Sequence, residues 1–332
     1  MPAAPRGLTG VSATSGKAGG ARNRSLTIAF QVVVSAGLLA LVGYKVPLEE
    51  SRAALARLRA GTVLAAVGLS LVAYVGRSTR WQRLLARSGV HLGNAASYRL
   101  TLLGILYGMV TPGRVGEFAR VLHISAPRTP LFASVIWDRL ADVLLLEVMS
   151  LPAFLLIPGL RGPLLVIYVG MVAITGAAAL VLNRSTVLDR VGRLTPSLAA
   201  RIEPFTSASS GTFGSAAFRA GLGDSLFFYV LSYASAWLLL RDLAPRAPVV
   251  LAFTFPVIPL LGNLPLAFGG LGLREQVSLE LFRQLGVGAG VGPIFSLTWF
   301  ATTTVLPGLV GLVLAPSRWA PMATASAPVH RP

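Results

Sequence analysis

The stretch Thr111–Arg120, TPGRVGEFAR, follows an apolar run, Leu100–Val110, that is too short to cross a bilayer. A helix cannot continue smoothly through Pro112-Gly113, because proline lacks a backbone donor and glycine is a poor helix former. The break, with Gly116 just beyond it, carries Arg114, Glu117 and Arg120. Charges beside broken backbone at membrane depth need protein or a wet cavity around them. The spacing therefore predicts a re-entrant hairpin over residues 96–124. A related stretch, Phe268–Gln276 (FGGLGLREQ), follows Pro256, Pro259 and Pro265 and carries Gly269, Gly270, Gly272, Arg274 and Glu275. It predicts a second broken hairpin over residues 248–286, with the function between the two breaks.

The bulk composition sets the solvent. The chain has 332 residues, 54% hydrophobic and 12% charged, with mean hydropathy +0.70. A soluble domain carries about 25% charged residues, so the expectation is an all-α polytopic membrane protein. Cysteine is absent, which excludes disulfides and thiolate chemistry. His91, His123 and His330 form no metal-ligand pattern, and no cofactor is expected. The net charge of +17 sits at the ends of apolar spans, which fits inward-facing loops and anionic headgroups rather than nucleic acid. Lys17 and Lys45 are the only lysines. That arginine bias, with so much Ala, Gly and Pro, points to a GC-rich bacterial source and to its inner membrane.

Six full spans are predicted: Leu26–Val46, Thr62–Leu85, Leu131–Ile157, Leu164–Leu182, Asp224–Leu243 and Val291–Leu314. Residues 1–25 and 316–332 read as disordered tails. Arg6, Lys17, Arg22 and Arg24 place the N-terminus in the cytoplasm, as Arg318 does the C-terminus. The arginines of the 183–220 loop place it there too. Pro47–Ala60 reads as an interfacial helix outside. Arg77, Arg80, Arg83 and Arg87, at the end of the second span, read as snorkelling anchors. The third span carries Asp138, Arg139, Asp142 and Glu147. Asp138 and Asp142 share a helix face, and Arg139 is three residues from Asp142. This cluster reads as structural pairing with the hairpin arginines, whereas Glu147, with no local partner, is a candidate proton or cation site.

Residues 26–157 and 163–315 then share one plan: two spans, a hairpin, a third span. The hairpins are predicted to enter from opposite faces, which makes an inverted repeat with a site at the repeat interface.

Three patches resemble the flippase-type transmembrane domain of bacterial lysylphosphatidylglycerol synthase/flippase proteins. They are TPGRVGEFARVLHI, SVIWDRLADVLLL and LPLAFGGLGLREQ. The resemblance spans roughly residues 26–315 and implies a domain that moves polar-headgroup lipids between leaflets. Two departures stand out. The family often has an arginine in its last span, where Ser296–Thr303 reads SLTWFATT. The soluble aminoacyl-transfer domain is also missing, so this chain is expected not to make lysylphosphatidylglycerol.

Arg114, Glu117, Arg120, Arg274 and Glu275 have two readings: a cradle for a lipid phosphate, to which arginine's planar fork is suited, or internal ion pairs that hold the hairpins. The leading expectation is a non-enzymatic transporter of an anionic or polyprenyl-phosphate-linked lipid. Lipid-modifying enzymes or glycosyltransferases are its expected protein partners. No Gly-x-x-x-x-Gly-Lys-Ser/Thr loop for ATP hydrolysis is present. The alternatives are an intramembrane polyprenyl-phosphate sugar transferase, with Glu49 or Glu50 as an external acid, and a non-transporting scaffold.

Overall fold

Two helices that each stop short of a full crossing set the architecture. In the computed structural model, which describes residues 15–183, 196–264 and 266–315, α4 (Asn94–Met109) has 16 residues. At about 1.5 Å per residue it falls short of the roughly 30 Å hydrocarbon core. The chain turns at Thr111 and returns as a 3₁₀ segment, Pro112–His123, packed along α4. Gly104 and Gly108 of α4 make this approach possible. A Cβ at 104 would lie 3.1 Å from Arg120 Cδ, and one at 108 would lie 2.9 Å from Glu117 Oε1. Thr111 pins the turn: its hydroxyl donates to Tyr107 O at 2.8 Å and accepts from Gly116 N–H at 2.6 Å.

The second hairpin is more broken. It runs through a 3₁₀ segment (Val249–Thr254), α9 (Val257–Gly262), a 3₁₀ turn (Phe268–Gly270) and α10 (Leu273–Gln284). Gly269, Gly270 and Gly272 all take positive φ, which side-chain-bearing residues seldom adopt. Pro265, predicted to be part of this break, lies outside the described residues.

The remaining helices frame the hairpins. They are α1 (Ser15–Lys45), α2 (Leu48–Ala56), α3 (Ala60–Arg87), α5 (Arg128–Leu156), α6 (Pro163–Asn183), α7 (Pro196–Ser209), α8 (Ala216–Leu243) and α11 (Val291–Val313). α1 and α2 meet at 90°, across Pro47. Four helices (α3, α6, α8 and α11) are long and apolar enough to cross a membrane, or five spans if the bent pair α1–α2 counts as one. α5 has 29 residues and is the predicted third span, but its acids and arginine keep it out of that set. The α6 face that includes Val166 and Ile174 is exposed, as a lipid-facing surface would be. The chain is a multi-pass membrane protein.

Several boundaries differ from the sequence expectation. α1 begins at Ser15, inside the predicted N-terminal tail. α8 begins at Ala216, where Ser215 Oγ accepts from Phe218 N–H at 3.1 Å. The predicted loop 183–220 contains α7; its residues 184–195, with Arg184, Arg190 and Arg193, lie outside the described residues, as do residues 1–14 and 316–332.

Helices from the N-terminal and C-terminal parts of the chain pack together. α3 packs along α8, α4 against the end of α11, and α5 against α9. α3 and α8 run antiparallel, tied at one end by Arg59 to Asp242 and at the other by Arg83 to Asp224 at 2.8 Å. The core holds an aromatic cluster, with Phe255, Phe282, Phe295 and Trp299 in stacked or tilted ring contact at centroid distances of 5.2–5.9 Å. Such pairs add to simple area burial.

Candidate functional site

The charged residues of α3, the first hairpin and α5 form one buried network. Arg80 lies between the two α5 acids, 2.6 Å from Asp138 Oδ1 and 2.6 Å from Asp142 Oδ1, and also donates to Ser225 Oγ of α8 at 2.7 Å. Arg77, one turn earlier, reaches Asp142 Oδ2 at 2.6 Å and Glu117 Oε2 at 3.7 Å. Arg120 pairs with Asp138 Oδ2 at 2.7 Å while stacking on Trp81 at 3.9 Å. Arg139 pairs with Glu117 and lies 3.6 Å from Asp142. Of the expected partners, Arg139 makes only the 3.6 Å contact with Asp142 and Arg120 supplies the hairpin arginine on Asp138, while the other close partners, Arg77 and Arg80, come from α3.

Arg77 and Arg80 are not snorkelling anchors. Both are buried, because α3 presents them to α5 and the hairpin rather than to a headgroup layer. Arg83 and Arg87 keep exposed contacts, to Asp224 and to Ser210 O. Glu147 is buried on α5, with Thr175 of α6 beside its carboxylate and Oε1 without a hydrogen-bond partner.

Arg114 and Arg274 come together in one place. Both line a cavity of about 90 Å³ between the hairpins, shared with Arg77, Arg139 and Asp142. Its other walls are largely aromatic and hydroxylic, including Tyr229, Tyr233, Trp299, Phe300, Ser296 and Thr303, with Leu146, Ile258 and Pro259 among them. Arg114 pairs with Glu117 at 3.0 Å and donates to Asn263 Oδ1 at 3.1 Å, which joins the first hairpin to the second. Among the described residues it is the one non-glycine with positive φ, +59°. Such strain persists only where the surroundings hold it. The breaks also approach directly: a Cβ at Gly269 would lie 3.0 Å from Met109 O. Pro112 and Gly113 open the 3₁₀ segment that carries Arg114.

Arg274 is held differently. Its guanidinium lies 3.6 Å from the Phe300 ring centre, and its Nε donates to Gly270 O at 3.3 Å. Its stem passes over Gly262, where a Cβ would overlap Cγ and lie 2.8 Å from Cδ. Gly262→Ala is therefore expected to displace Arg274 or strain α9, at about 1–3 kcal/mol for an overpacked site. The check is the thermal midpoint of the purified variant, which should fall by several degrees. An unchanged midpoint would show that the slot is loose.

Three of the predicted headgroup residues are placed elsewhere. Glu117 and Arg120 are fully buried in the ion network and do not line the cavity. Glu275 does not hold Arg274. Its two oxygens accept from Gly272 N–H at 2.6 Å and Ser296 Oγ at 2.9 Å, which caps α10. Glu275 supplies the glutamate half of a capping box, and Gly272, with no side chain, leaves the other half unmade.

The last span supplies what its uncharged sequence hid. Pro307 cannot donate to the carbonyl four residues back, and α11 opens into a π turn at Ala301–Val305. The Tyr74 hydroxyl donates to the freed Thr303 O at 2.6 Å. Ser296, Trp299, Phe300, Thr303 and Thr304 thereby face the cavity.

The site is thus a cationic, aromatic-walled cavity where two broken hairpins meet inside a membrane protein. Among curated proteins no match is found. The family model described as Lysylphosphatidylglycerol synthase TM region matches residues 28–311, nearly all of the helical bundle, and the chain belongs to that family, whose function is tied to membrane lipid.

Proposed function

We propose that this protein carries a phosphate-bearing lipid between the leaflets of the bacterial inner membrane, with its two halves forming an inverted repeat. The carrying observation is that Arg114 and Arg274, from two separate broken hairpins, line a single cavity. Arginine forks suit phosphate oxygens, and the aromatic walls suit the hydrocarbon just below a headgroup. The antiparallel α3–α8 pair and the reciprocal packing of each half's hairpin against the other half's third span support the inverted-repeat reading. The transferase alternative has less support: Glu50 accepts from Gly290 N–H at 3.1 Å, and Glu49 lies in an exposed pair with Arg52.

The test is a translocation assay in proteoliposomes holding a fluorescently tagged phosphate lipid and a membrane-impermeant quencher. Signal loss beyond that of protein-free vesicles is expected. Equal loss in the two would remove the transport reading.

Orientation has its own check. In this cysteine-free background, a cysteine at Ser207 of α7 should resist an impermeant thiol reagent in intact cells, and one at Arg52 of α2 should react. Reaction at 207 with protection at 52 would invert the assigned topology.

A further inference from the structure

The cavity's charge and size narrow the headgroup beyond "phosphate-bearing". Five arginines (Arg77, Arg80, Arg114, Arg120 and Arg139) share three carboxylates, those of Glu117, Asp138 and Asp142. Arg274 adds a sixth guanidinium, only 9% exposed. Among the described residues no carboxylate lies within 4.0 Å of it, because Glu275 is turned to Gly272 and Ser296. Buried cations without partners are strongly unfavourable, so this state is poised to accept anionic charge.

The unfilled hydrogen-bonding capacity lies at the same place. Arg274 Nη2, Arg77 Nε and the Tyr233 hydroxyl are buried without a partner, and all three residues line the cavity. A single negative charge, as on a phosphodiester, would leave most of the excess uncompensated. An aminoacylated headgroup would bring a further cation. The cavity volume, about 90 Å³, is also far below the roughly 300–1,000 Å³ of pockets that enclose larger ligands, which disfavours a sugar or amino acid beyond the phosphate.

We infer that the cavity selects a compact headgroup with two or more negative charges: a terminal phosphomonoester or a diphosphate on a lipid chain. A terminal phosphate offers three anionic oxygens, enough to take guanidinium forks from both hairpins at once. The inference rests on the transport reading for its lipid context, but it is a statement about binding and is tested as such.

The probes are phosphatidate, phosphatidylglycerol, lysylphosphatidylglycerol and inorganic pyrophosphate. Each is titrated near pH 8, where a phosphomonoester is close to doubly ionised, into the full-length protein in neutral-lipid nanodiscs. Fluorescence of Trp299, in the cavity wall, reports binding, and Trp299→Phe identifies its share of the signal. Phosphatidate is expected to bind at least tenfold tighter than phosphatidylglycerol, with lysylphosphatidylglycerol weaker still. Arg274→Ala should bring the first ratio close to one, and Arg274→Lys, which keeps the charge, should retain part of it.

Equal affinity for phosphatidate and phosphatidylglycerol would overturn the charge selection and leave transport intact if translocation is seen. Pyrophosphate binding as tightly as phosphatidate would make the ligand a free anion and overturn the lipid assignment. A selective phosphatidate response without translocation would uphold the binding inference and count against transport.

Discussion

Arg80→Leu is expected to remove most of the folded protein from the membrane. Arg80 is about 1% exposed and bridges Asp138, Asp142 and Ser225, so it joins α3, α5 and α8 at one point. Leucine restores the packing volume in part but removes the one guanidinium that Asp138 and Asp142 share, so Asp138 Oδ1 and Asp142 Oδ1 each lose their ion-pair partner. Breaking a buried pair from one side costs about 3–5 kcal/mol, a large share of the roughly 5–15 kcal/mol that holds a typical domain together. The measurement is the monodisperse peak of detergent-extracted, tagged protein by size exclusion. A near-complete loss is expected, with partial recovery in Arg80→Lys. A normal peak would mean that Arg77 and Arg120, already paired with Asp142 and Asp138, hold the acids without Arg80.

Arg274→Ala is expected to do the opposite: leave the protein folded and inserted but impair its handling of anionic lipid. No carboxylate is stranded, since Glu275 is engaged elsewhere, and removing a buried unpaired cation relieves desolvation. What disappears is a charge-assisted donor to the ligand, worth about 1.5–3 kcal/mol, or roughly 10- to 100-fold in affinity. Phe300 loses its cation and opens space. The check is lipid binding and translocation at a normal size-exclusion profile. Full translocation in a well-folded variant would take Arg274 out of the site.

Much of the architecture was legible in the sequence, for reasons that can be named. Pro112-Gly113 and the glycines of 269–272 break backbone by local chemistry alone, so the two breaks could be read before any contact was known. Asp138 and Asp142 were legible as a paired face because helical spacing fixes it. The partners across that face were not. Arg77 and Asp142 are 65 residues apart, and an arginine near the end of a span has the same local signature whether it reaches a headgroup or a buried acid. Length and burial of the neighbouring helix decide, and both are tertiary facts.

The cavity's aromatic half was hidden for a related reason. Trp299 and Phe300 sit in an uncharged span, and apolar residues there are consistent with lipid contact. The signal that was present is Pro307, which forces a carbonyl free one turn back and so hints that Thr303 faces protein or water. Glu275 shows the converse error. Its charge beside a glycine-rich break resembled a binding group, and only the bond from Gly272 N–H shows it to be a helix cap.

The most direct test of the account is a double-mutant cycle on Arg114 and Arg274. Phosphatidate affinity is measured for the wild type, Arg114→Ala, Arg274→Ala and the double variant, all checked for a single size-exclusion peak. If both guanidiniums grip one phosphate, each single change weakens binding and the double change costs less than the two together, with a coupling of about 0.5–3 kcal/mol. Strict additivity, or unchanged binding in both single variants, would contradict a shared anion site between the hairpins.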